Sequence, residues 1–391
     1  MDGEYQIPIE DLYEAYFDCR KNKRGSYNAL AFELDYEANL LKLLRDINDG
    51  TYNIGRSIAF IVTRPKPREV FAADFRDRIV HHLVIRKIEP LLESYFIEDS
   101  YSCRTGKGSL YGFNRLEEKI KAATNGYTED AYLAKFDCKA FFMSIHKPTL
   151  CAMIVSFLEE RYNAPDKNII IRLLRQIILH CPEKNCIRKS PEKMWDLLGQ
   201  GKSLFTCGDD YGLPIGNLSS QILANFYLAS FDLWMDKTFK GLYGRYVDDF
   251  FVVAKTKNEI LSAIPEMKRR LADVHVTIHP GKMYLQHYTK GISFIGGTLK
   301  IGRRYIGKRT AFNFKQCVKS ITSTDDNIDC ATRALQRVNS YLGFCRHYQT
   351  YGLRVRMVKA VTKAYSRWLY STGNASKLVK RYKYDTQIRP I

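Results

Sequence analysis

The 391-residue chain lacks the long apolar runs that cross membranes, because none of its hydrophobic stretches reaches the ~18 uninterrupted residues that a span requires. Its first ten residues contain three acidic residues and no apolar core, so we expect no signal peptide. Internal repeats and low-complexity segments are also lacking, and only 12 prolines and 24 glycines occur. These absences leave a globular protein of two or three domain-sized units, which we expect in the cytoplasm.

A disulfide framework is missing as well. The ten cysteines have no regular spacing, no CxxC motif occurs, and the closest pair, Cys181 and Cys186, is five residues apart. Reduced thiols are therefore expected. A structural zinc site remains an alternative that no spacing supports.

Negative charge is scarce, above all near the C-terminus. The formal net charge is +19, and residues 301–391 hold 19 Lys and Arg against four Asp, a net charge of +15. Cations neutralise phosphates, and aromatic faces stack on bases. We predict that this segment binds nucleic acid; the alternative is a basic helical surface without a ligand. The aromatic residues among the basic ones are Tyr305, Tyr341, Tyr348, Tyr351, Tyr365, Trp368, Tyr382 and Tyr384.

Two adjacent carboxylates, Asp248 and Asp249, lie between apolar runs. Such flanks predict two short buried strands that meet at the acidic pair. Buried carboxylates need compensation, and a divalent cation often supplies it. The sequence therefore predicts a magnesium site at this turn. The alternative is an ordinary surface turn, since Asp favours turns for its own reasons.

The hydrophobic pattern predicts helices that alternate with a few strands. The predicted helices cover residues 8–50, 77–96, 147–180, 217–239, 257–273, 327–347 and 353–371. The predicted strands are a hairpin over 56–72, a strand over 131–136, a hairpin over 242–254, a strand over 274–279 and a pair over 292–308. Helices over one face of an antiparallel sheet give an α+β layer, and the strand ending at Asp137 brings a third carboxylate to the acidic pair.

Three carboxylates from separate strand ends fit two-metal phosphoryl transfer, in which one ion activates the attacking hydroxyl and the other stabilises the leaving oxygen. With this set in place, the chain resembles a reverse transcriptase over nearly its whole length. The resemblance rests on ordered blocks: Pro65 to Arg68, Asp74 to Val80, Ser100 to Gly108, Asp137 to Phe142, Gly212 to Gln221, Tyr246 to Asp249, His279 to Lys282 and Ser293 to Gly297.

The resemblance implies a right-hand polymerase fold of the α+β class, with fingers, a palm built on an antiparallel sheet, and a helical thumb. It implies fingers over 1–87 and 146–215, a palm over 88–145 and 216–302, and a basic helical thumb over 303–391.

The same resemblance implies a site for two Mg²⁺ ions, with Mn²⁺ as a substitute. Asp137 and Asp248 are expected to hold or bridge both ions, and the carbonyl of Cys138 to complete the nucleotide-side metal. Asp249 is expected to be either a ligand nearer to the primer or an auxiliary ligand. Lys282 is expected as a general acid for pyrophosphate; a solvated lysine is its alternative.

Nucleotide-binding roles follow from the remaining blocks. Lys66 and Arg68 are expected to grip the triphosphate, or else to be solvated cations. Arg76 is expected near the templating base or the incoming nucleotide; the alternative is a structural ion pair with a neighbouring Asp. Phe142 occupies the position of the family's steric gate, where a ring excludes the 2′-hydroxyl; a plain core Phe is the alternative.

The loop-to-helix block departs from the usual family pattern. Ile215 precedes Gly216 where most reverse transcriptases have Gln, and Gln221 replaces a Pro. This pattern resembles the enzymes of diversity-generating retroelements, as do the stretches Trp195 to Leu198 and Lys202 to Phe205. An aliphatic residue cannot hydrogen-bond the nucleotide, and losing a bond of ~1 kcal/mol lowers discrimination several-fold. A neutral packing variant is the alternative.

That subgroup copies a template RNA into cDNA with errors concentrated at adenines, and the cDNA diversifies a target gene. The resemblance implies as partners the template RNA, the cDNA/RNA duplex, dNTPs and a pentameric basic accessory variability protein. The alternatives are a non-mutagenic group II intron-like or phage-defence reverse transcriptase, or a catalytically silent RNA-binding scaffold.

Overall fold

The computed structural model of the protein describes residues 5–21, 25–64 and 66–381. The chain forms two compact units, one from Met1–Arg115 with Ala134–Tyr284 and the other from Leu116–Leu133 with Leu285–Ile391. Pro65 of the basic hairpin block lies outside the described residues, as do Tyr382 and Tyr384 at the end of the basic segment.

Helices form most of the first unit, and most of them lie close to the predicted positions. They are α1 (Ile9–Arg20), α2 (Tyr27–Glu33), α3 (Tyr36–Asn48), α4 (Phe75–Tyr95), α5 (Ser109–Ala123, which continues into the second unit), α6 (Phe141–Ser144), α7 (Lys147–Arg161), α8 (Lys167–Leu179), α9 (Leu218–Tyr227), α10 (Ala229–Thr238) and α11 (Lys257–Ala272). The helix predicted over 8–50 is therefore three helices, and those predicted over 147–180 and 217–239 are two each. Helices α5 and α6 were not predicted.

A small sheet carries the predicted basic hairpin. Strand β1 (Ser57–Val62) pairs antiparallel with β2 (Arg68–Ala72), and Ile61 lies opposite Glu69. A third strand, β4 (Cys186–Arg188), runs parallel to β1. Strand β4 was not predicted, because three residues within a turn-rich segment carry no strand pattern.

The central sheet places the acidic residues. Strands β5 (Tyr243–Tyr246), β6 (Asp249–Ala254) and β3 (Tyr132–Asp137) are neighbours in that order, and β5 pairs antiparallel with β6. The rings of Phe136 and Phe250 stack with their centroids 5.0 Å apart. Burying these rings on neighbouring strands fixes the register, since a one-residue slip would turn each side chain to the opposite face.

The predicted strand over 274–279 does not form. The chain leaves α11 through a turn in which the amide of Val276 donates to the carbonyl of Leu271, and His275 has a φ of +58°. Ile278 alone makes a single β-bridge, to Cys138. A left-handed residue interrupts the extended backbone that the apolar alternation indicated.

The second unit combines short strands with three longer helices. Its elements are β7 (Tyr284–His287, whose first residue belongs to the first unit), β8 (Ile292–Phe294), β9 (Gly297–Lys300), β10 (Arg303–Ile306), α12 (Lys308–Thr322), α13 (Ile328–Cys345), α14 (Tyr351–Ala364), β11 (Leu369–Thr372) and β12 (Lys377–Lys380). Strand β9 lies between β10 and β8, so the pair predicted over 292–308 is three strands. Buried residues of α12, α13 and α14 form one core, which includes Phe314, Val338 and Val361.

The helix predicted over 353–371 ends early, at Ala364, and a hairpin of β11 and β12 follows. Asn339 on α13 accounts for the change, because its side chain accepts from the amide of Leu378 at 2.8 Å and donates to the carbonyl of the same residue at 2.9 Å. These two bonds fix β12 against α13, a long-range contact that local propensity does not report. The mixture of helices with antiparallel strands confirms the predicted α+β class.

Among residues 5–21, 25–64 and 66–381, the structure contains no helix with the length and apolar character that crossing a membrane requires.

Candidate active site

The acidic pair lies at a two-residue turn between β5 and β6. Tyr246 pairs with Asp249, so Val247 and Asp248 form the turn itself. Val247 has a φ of +58°, a conformation that is strained for a β-branched residue. Strained backbone of this kind persists only where the surrounding structure holds it in place.

A buried ion pair on the interior side of this turn stabilises its conformation. Arg245 and Asp232 are almost fully buried, and Arg245 Nη2 lies 2.5 Å from Asp232 Oδ2. Arg245 Nη1 also donates to the carbonyl of Val247 at 2.9 Å. The hydroxyl of Tyr243 donates to Asp232 at 2.6 Å, which satisfies more of the buried carboxylate. The guanidinium therefore fixes the strained residue beside Asp248.

The end of β3 delivers Asp137 to the same place. The amide of Cys138 donates to the carbonyl of Asp248 at 3.0 Å, and the amide of His279 donates to the carbonyl of Asp137 at 2.7 Å. The predicted meeting of three carboxylates at neighbouring strand ends is thus the arrangement in the structure.

Two lysines lie on these carboxylates. Lys282 Nζ is 2.7 Å from Asp137 Oδ1, and Lys135 Nζ is 3.1 Å from Asp249 Oδ1. The expectation for Lys282 was a general acid or a solvated cation; its ammonium group forms an ion pair and is about half exposed. Lys135 was missed, although residues two apart on a strand share a face, so its position before Asp137 was a usable signal.

Burial and neighbouring negative charge raise the pKa values of Asp248 and Asp249. Burial raises the pKa of Asp248 to about 6, and the charges of Asp249 and Asp137 add to the rise. Burial also raises the pKa of Asp249, with the charge of Lys135 opposing it. This excess of buried negative charge favours a bound cation.

The donor set fits magnesium. It consists of carboxylate oxygens from Asp137, Asp248 and Asp249, with the carbonyl of Cys138 next to Asp137 in the chain, and hard divalent cations prefer oxygen ligands. The thiol of Cys138 is buried and its pKa is raised, first by burial and then by Asp248, so it is not a thiolate ligand.

A second group of metal-binding side chains lies elsewhere in the first unit. One ligand atom from each of Cys181, Glu183 and Asp209 falls within 4.8 Å of the others. Two ammonium groups oppose a cation there, because Lys147 Nζ is 3.1 Å from Cys181 Sγ and Lys184 Nζ is 2.5 Å from Asp209 Oδ2. We assign no metal to this group.

The basic hairpin tip faces solvent. Lys66 and Arg68 are exposed, as ligands for a triphosphate need to be before it binds. The charge of Arg68 lowers the pKa of Asp248, which indicates that the guanidinium lies near the carboxylates.

Arg76 has the contacts of the structural alternative. Its Nη2 lies 2.6 Å from Asp46 Oδ2 and its Nη1 lies 3.6 Å from Asp77 Oδ1. The guanidinium also lies over the ring of Tyr52, 4.9 Å from the centroid. Its role in nucleotide binding stays a prediction.

Phe142 and Ile215 pack on one apolar cluster, whose buried members are Ala59, Phe71, Met143 and Leu204. The carbonyl of Ile215 accepts from the amide of Phe71 at 2.9 Å. Gly216 has a φ of +126°, and a Cβ there would lie 2.8 Å from Val70 Cγ1, so only glycine fits.

Gln221 is exposed near the start of α9, where its Oε1 accepts from the thiol of Cys103 at 2.9 Å. No role was predicted for Cys103. Its φ of +54° is a left-handed conformation that the sequence did not indicate.

A comparison with known families gives one decisive match. The description "Reverse transcriptase (RNA-dependent DNA polymerase)" fits residues 64–299, which is more than half of the chain and includes the three carboxylates. The chain belongs to the reverse transcriptase family.

The chain also has distant similarity to three further protein chains. Protein YkfC of Escherichia coli (strain K12) is 21% identical over 318 residues, which cover 72% of this chain and 75% of YkfC. Two solved structures of apo telomerase from Candida tropicalis are each 13% identical. The one truncated from the C-terminal domain has a TM-score of 0.45 and covers 68% of this chain, and the other has a TM-score of 0.48 and covers 80%. The matched regions span 59% and 60% of those telomerase chains, less than two thirds of their length.

The raised pKa of Asp248 predicts a pH-dependent stability. An unfolded Asp has a pKa of about 3.9, whereas that of Asp248 in the folded, metal-free protein is about 6. Because the folded state binds this proton more tightly, stability falls as pH rises between these values. We expect Asp248→Asn to exceed the wild type by about 2 kcal/mol in unfolding free energy at pH 7 and to match it near pH 4.

Urea unfolding of both proteins in EDTA at the two pH values measures this difference. Added Mg²⁺ is expected to reduce this stability difference at pH 7. The wild type keeps the Asp248 carboxylate and is therefore stabilised more by the cation than Asp248→Asn is. A difference that is the same at both pH values would contradict the assignment of the shift to Asp248.

Proposed function

We propose that the protein is an RNA-directed DNA polymerase that extends a primer on an RNA template. The observation that carries the proposal is the meeting of Asp137, Asp248 and Asp249 at adjacent strand ends within a chain of the reverse transcriptase family. The three side chains and the carbonyl of Cys138 would hold two Mg²⁺ ions, which Mn²⁺ could replace. When bound, the ions supply activation of the primer hydroxyl and stabilisation of the leaving oxygen.

This chain's own residues have supporting roles in the proposal. Lys66, Arg68 and Arg76 bind the nucleotide, and Phe142 excludes the 2′-hydroxyl of a ribonucleotide. Lys282, whose ammonium group pairs with Asp137, would donate a proton to the leaving pyrophosphate. Fingers over 1–87 and 146–215, palm over 88–145 and 216–302, and thumb over 303–391 remain the proposed division of the chain, and the cytoplasm its proposed location.

Primer extension on a primed RNA template tests the polymerase proposal. We expect Asp248→Ala to lower kcat by about 10³-fold or more, because the site would lose one of the three carboxylates that would hold the ions. The matched control is Asp273→Ala, which removes an exposed carboxylate at the end of α11. Retained extension by Asp248→Ala would refute the assigned metal site, and a silent scaffold would show no extension even as wild type.

We further propose that the polymerase is error-prone at template adenines and serves a diversity-generating retroelement. Support comes from Ile215, whose side chain packs on the apolar cluster beside Phe142 and has no group with which to hydrogen-bond a nucleotide. Base selection would then depend on pairing and shape.

Sequencing of cDNA made on an RNA with all four bases tests the error-prone role. We expect misincorporation at adenines to exceed that at other bases, and Ile215→Gln to lower it several-fold by restoring one hydrogen bond of about 1 kcal/mol. Ile187→Gln, the same substitution at a half-exposed position of β4, is the control. Equal error at all four bases would refute the diversity-generating role.

A stripe on α12 supports nucleic-acid binding by the basic segment. Lys308, Phe312, Lys315 and Lys319 lie within about 60° of one another around the helix, as 3.6 residues per turn dictates. All four are exposed, Phe312 by 59%. Three cations around an exposed ring suit a phosphate backbone and a base or sugar face. The proposed partners are the template RNA, the cDNA/RNA duplex and the pentameric basic accessory protein.

Salt titrations of template RNA binding test this stripe. Replacing the three lysines by Gln is expected to lower the slope of log affinity against log salt by about 2–3, because each phosphate contact contributes roughly 0.7–0.9. Phe312→Ala should weaken binding with the slope unchanged. The control replaces Lys237, Lys240 and Lys257, exposed lysines of the first unit, by Gln. An equal loss of slope in the control would show that only net charge matters.

A further inference from the structure

Glu69 on β2 is a buried carboxylate with three neutral hydrogen-bond donors. Its side chain is 2% exposed. Oε1 accepts from Trp195 Nε1 and Ser203 Oγ, each at 2.6 Å, and Oε2 accepts from the amide of Leu204, also at 2.6 Å. Burying a carboxylate is unfavourable unless its oxygens are satisfied, so these donors are what keep Glu69 in the interior.

All three donors belong to one stretch, residues 195–205, which we call the Glu69-bound segment. It is separated from Glu69 by more than 120 residues of chain. Its regular structure consists of two short 3₁₀ turns, Glu192–Leu197 and Leu204–Thr206. A segment with so little regular structure depends on such anchors for its position. Trp195 and Ser203 lie in the two stretches that resemble the enzymes of diversity-generating retroelements. The proposed polymerase mechanism assigns no role to either residue.

The Glu69-bound segment forms part of the apolar cluster beneath the proposed nucleotide site. Leu204 is one of its four buried members, and Trp195 and Phe205 pack against it. The ring of Phe205 lies 5.5 Å from that of Phe71 and 5.9 Å from that of Trp195. The backbone of Gly212 packs closely on Leu204, because a Cβ at this position would lie 2.4 Å from Leu204 Cδ2.

The same cluster supports both residues to which nucleotide selection is assigned. Phe142 and Ile215 are among its partly buried members. The carbonyl of Phe142 accepts from the amide of Leu213, and the carbonyl of Ile215 accepts from the amide of Phe71, both at 2.9 Å. Through its segment, Glu69 is thus connected to Phe142, the ring proposed to exclude the 2′-hydroxyl, and to Ile215, the side chain proposed to affect base selection.

We propose that Glu69 is a positioning residue for nucleotide selection, which acts by fixing the Glu69-bound segment beneath Phe142 and Ile215. It touches neither the nucleotide nor the metal ions. Loss of the anchor lets the cluster relax, so that the pocket admits a 2′-hydroxyl or a mispaired base more readily while the carboxylates stay in place. This inference rests on the proposed polymerase function.

The test uses the full chain on a primed RNA template with single nucleotides. Glu69→Gln keeps the shape but puts an amide N–H₂ where the donors need an acceptor, and Trp195→Phe removes one donor with less risk to folding. The matched control is Asp196→Asn, the same carboxylate-to-amide change at an exposed position of the same segment. The readouts are kcat and KM for each dNTP and its rNTP, misincorporation at each template base, and thermal unfolding.

We expect both variants to lower the dNTP/rNTP ratio of kcat/KM about fivefold and to raise misincorporation, with Asp196→Asn like the wild type. A purely structural role would lower kcat/KM for all nucleotides by one common factor and leave the ratio unchanged, which would overturn the inference. An unchanged ratio in a folded Trp195→Phe protein would also count against it if Glu69→Gln failed to fold. A wild type that incorporates no nucleotide would instead overturn the proposed function, and the inference with it.

Discussion

The buried ion pair of Arg245 and Asp232 is the interaction on which the site depends. It lies behind a turn whose strained residue, Val247, would relax if its carbonyl lost the guanidinium. Removing one partner of a buried pair costs about 3–5 kcal/mol, since the other charge is left without compensation. Hydrophobic replacements of similar volume could match the pair in stability, but they could not hold a carbonyl. The pair is therefore best understood as a device that fixes the position of Asp248.

Two lysines partly neutralise the three carboxylates, and the ion pairs that they form are weak enough to be exchanged for other partners. Lys282 and Lys135 each pair with one carboxylate, while burial and the charges of Asp249 and Asp137 raise the pKa of Asp248. A half-exposed lysine such as Lys282 has little to lose on returning to water, because exposed ion pairs contribute only about 0–1 kcal/mol. Asp137, which would help to hold a cation, is therefore paired with an ammonium group whose release would cost little.

Sequence reasoning succeeded where local patterns determine structure and failed where distant contacts do. The hairpin around Asp248 and the strand ending at Asp137 were predictable, because short apolar runs and turn chemistry are local properties. The strand expected over 274–279 and the long final helix were wrong, since a left-handed His275 and the bonds of Asn339 override propensity. The role of Arg245 in fixing the turn could not be predicted, because the sequence does not distinguish a buried arginine from an exposed one.

The contrast between Arg245 and Glu69 separates two tasks within one site. Both are buried charges, but Arg245 bonds the backbone that carries the carboxylates, whereas Glu69 bonds a segment that only supports the pocket. The chemistry of nucleotide addition requires the first to be rigid. Selectivity depends on the second, and its donors are neutral groups whose loss changes packing without disturbing the charge at the carboxylates. An enzyme built this way can vary its accuracy through the apolar layer while its catalytic carboxylates stay in place.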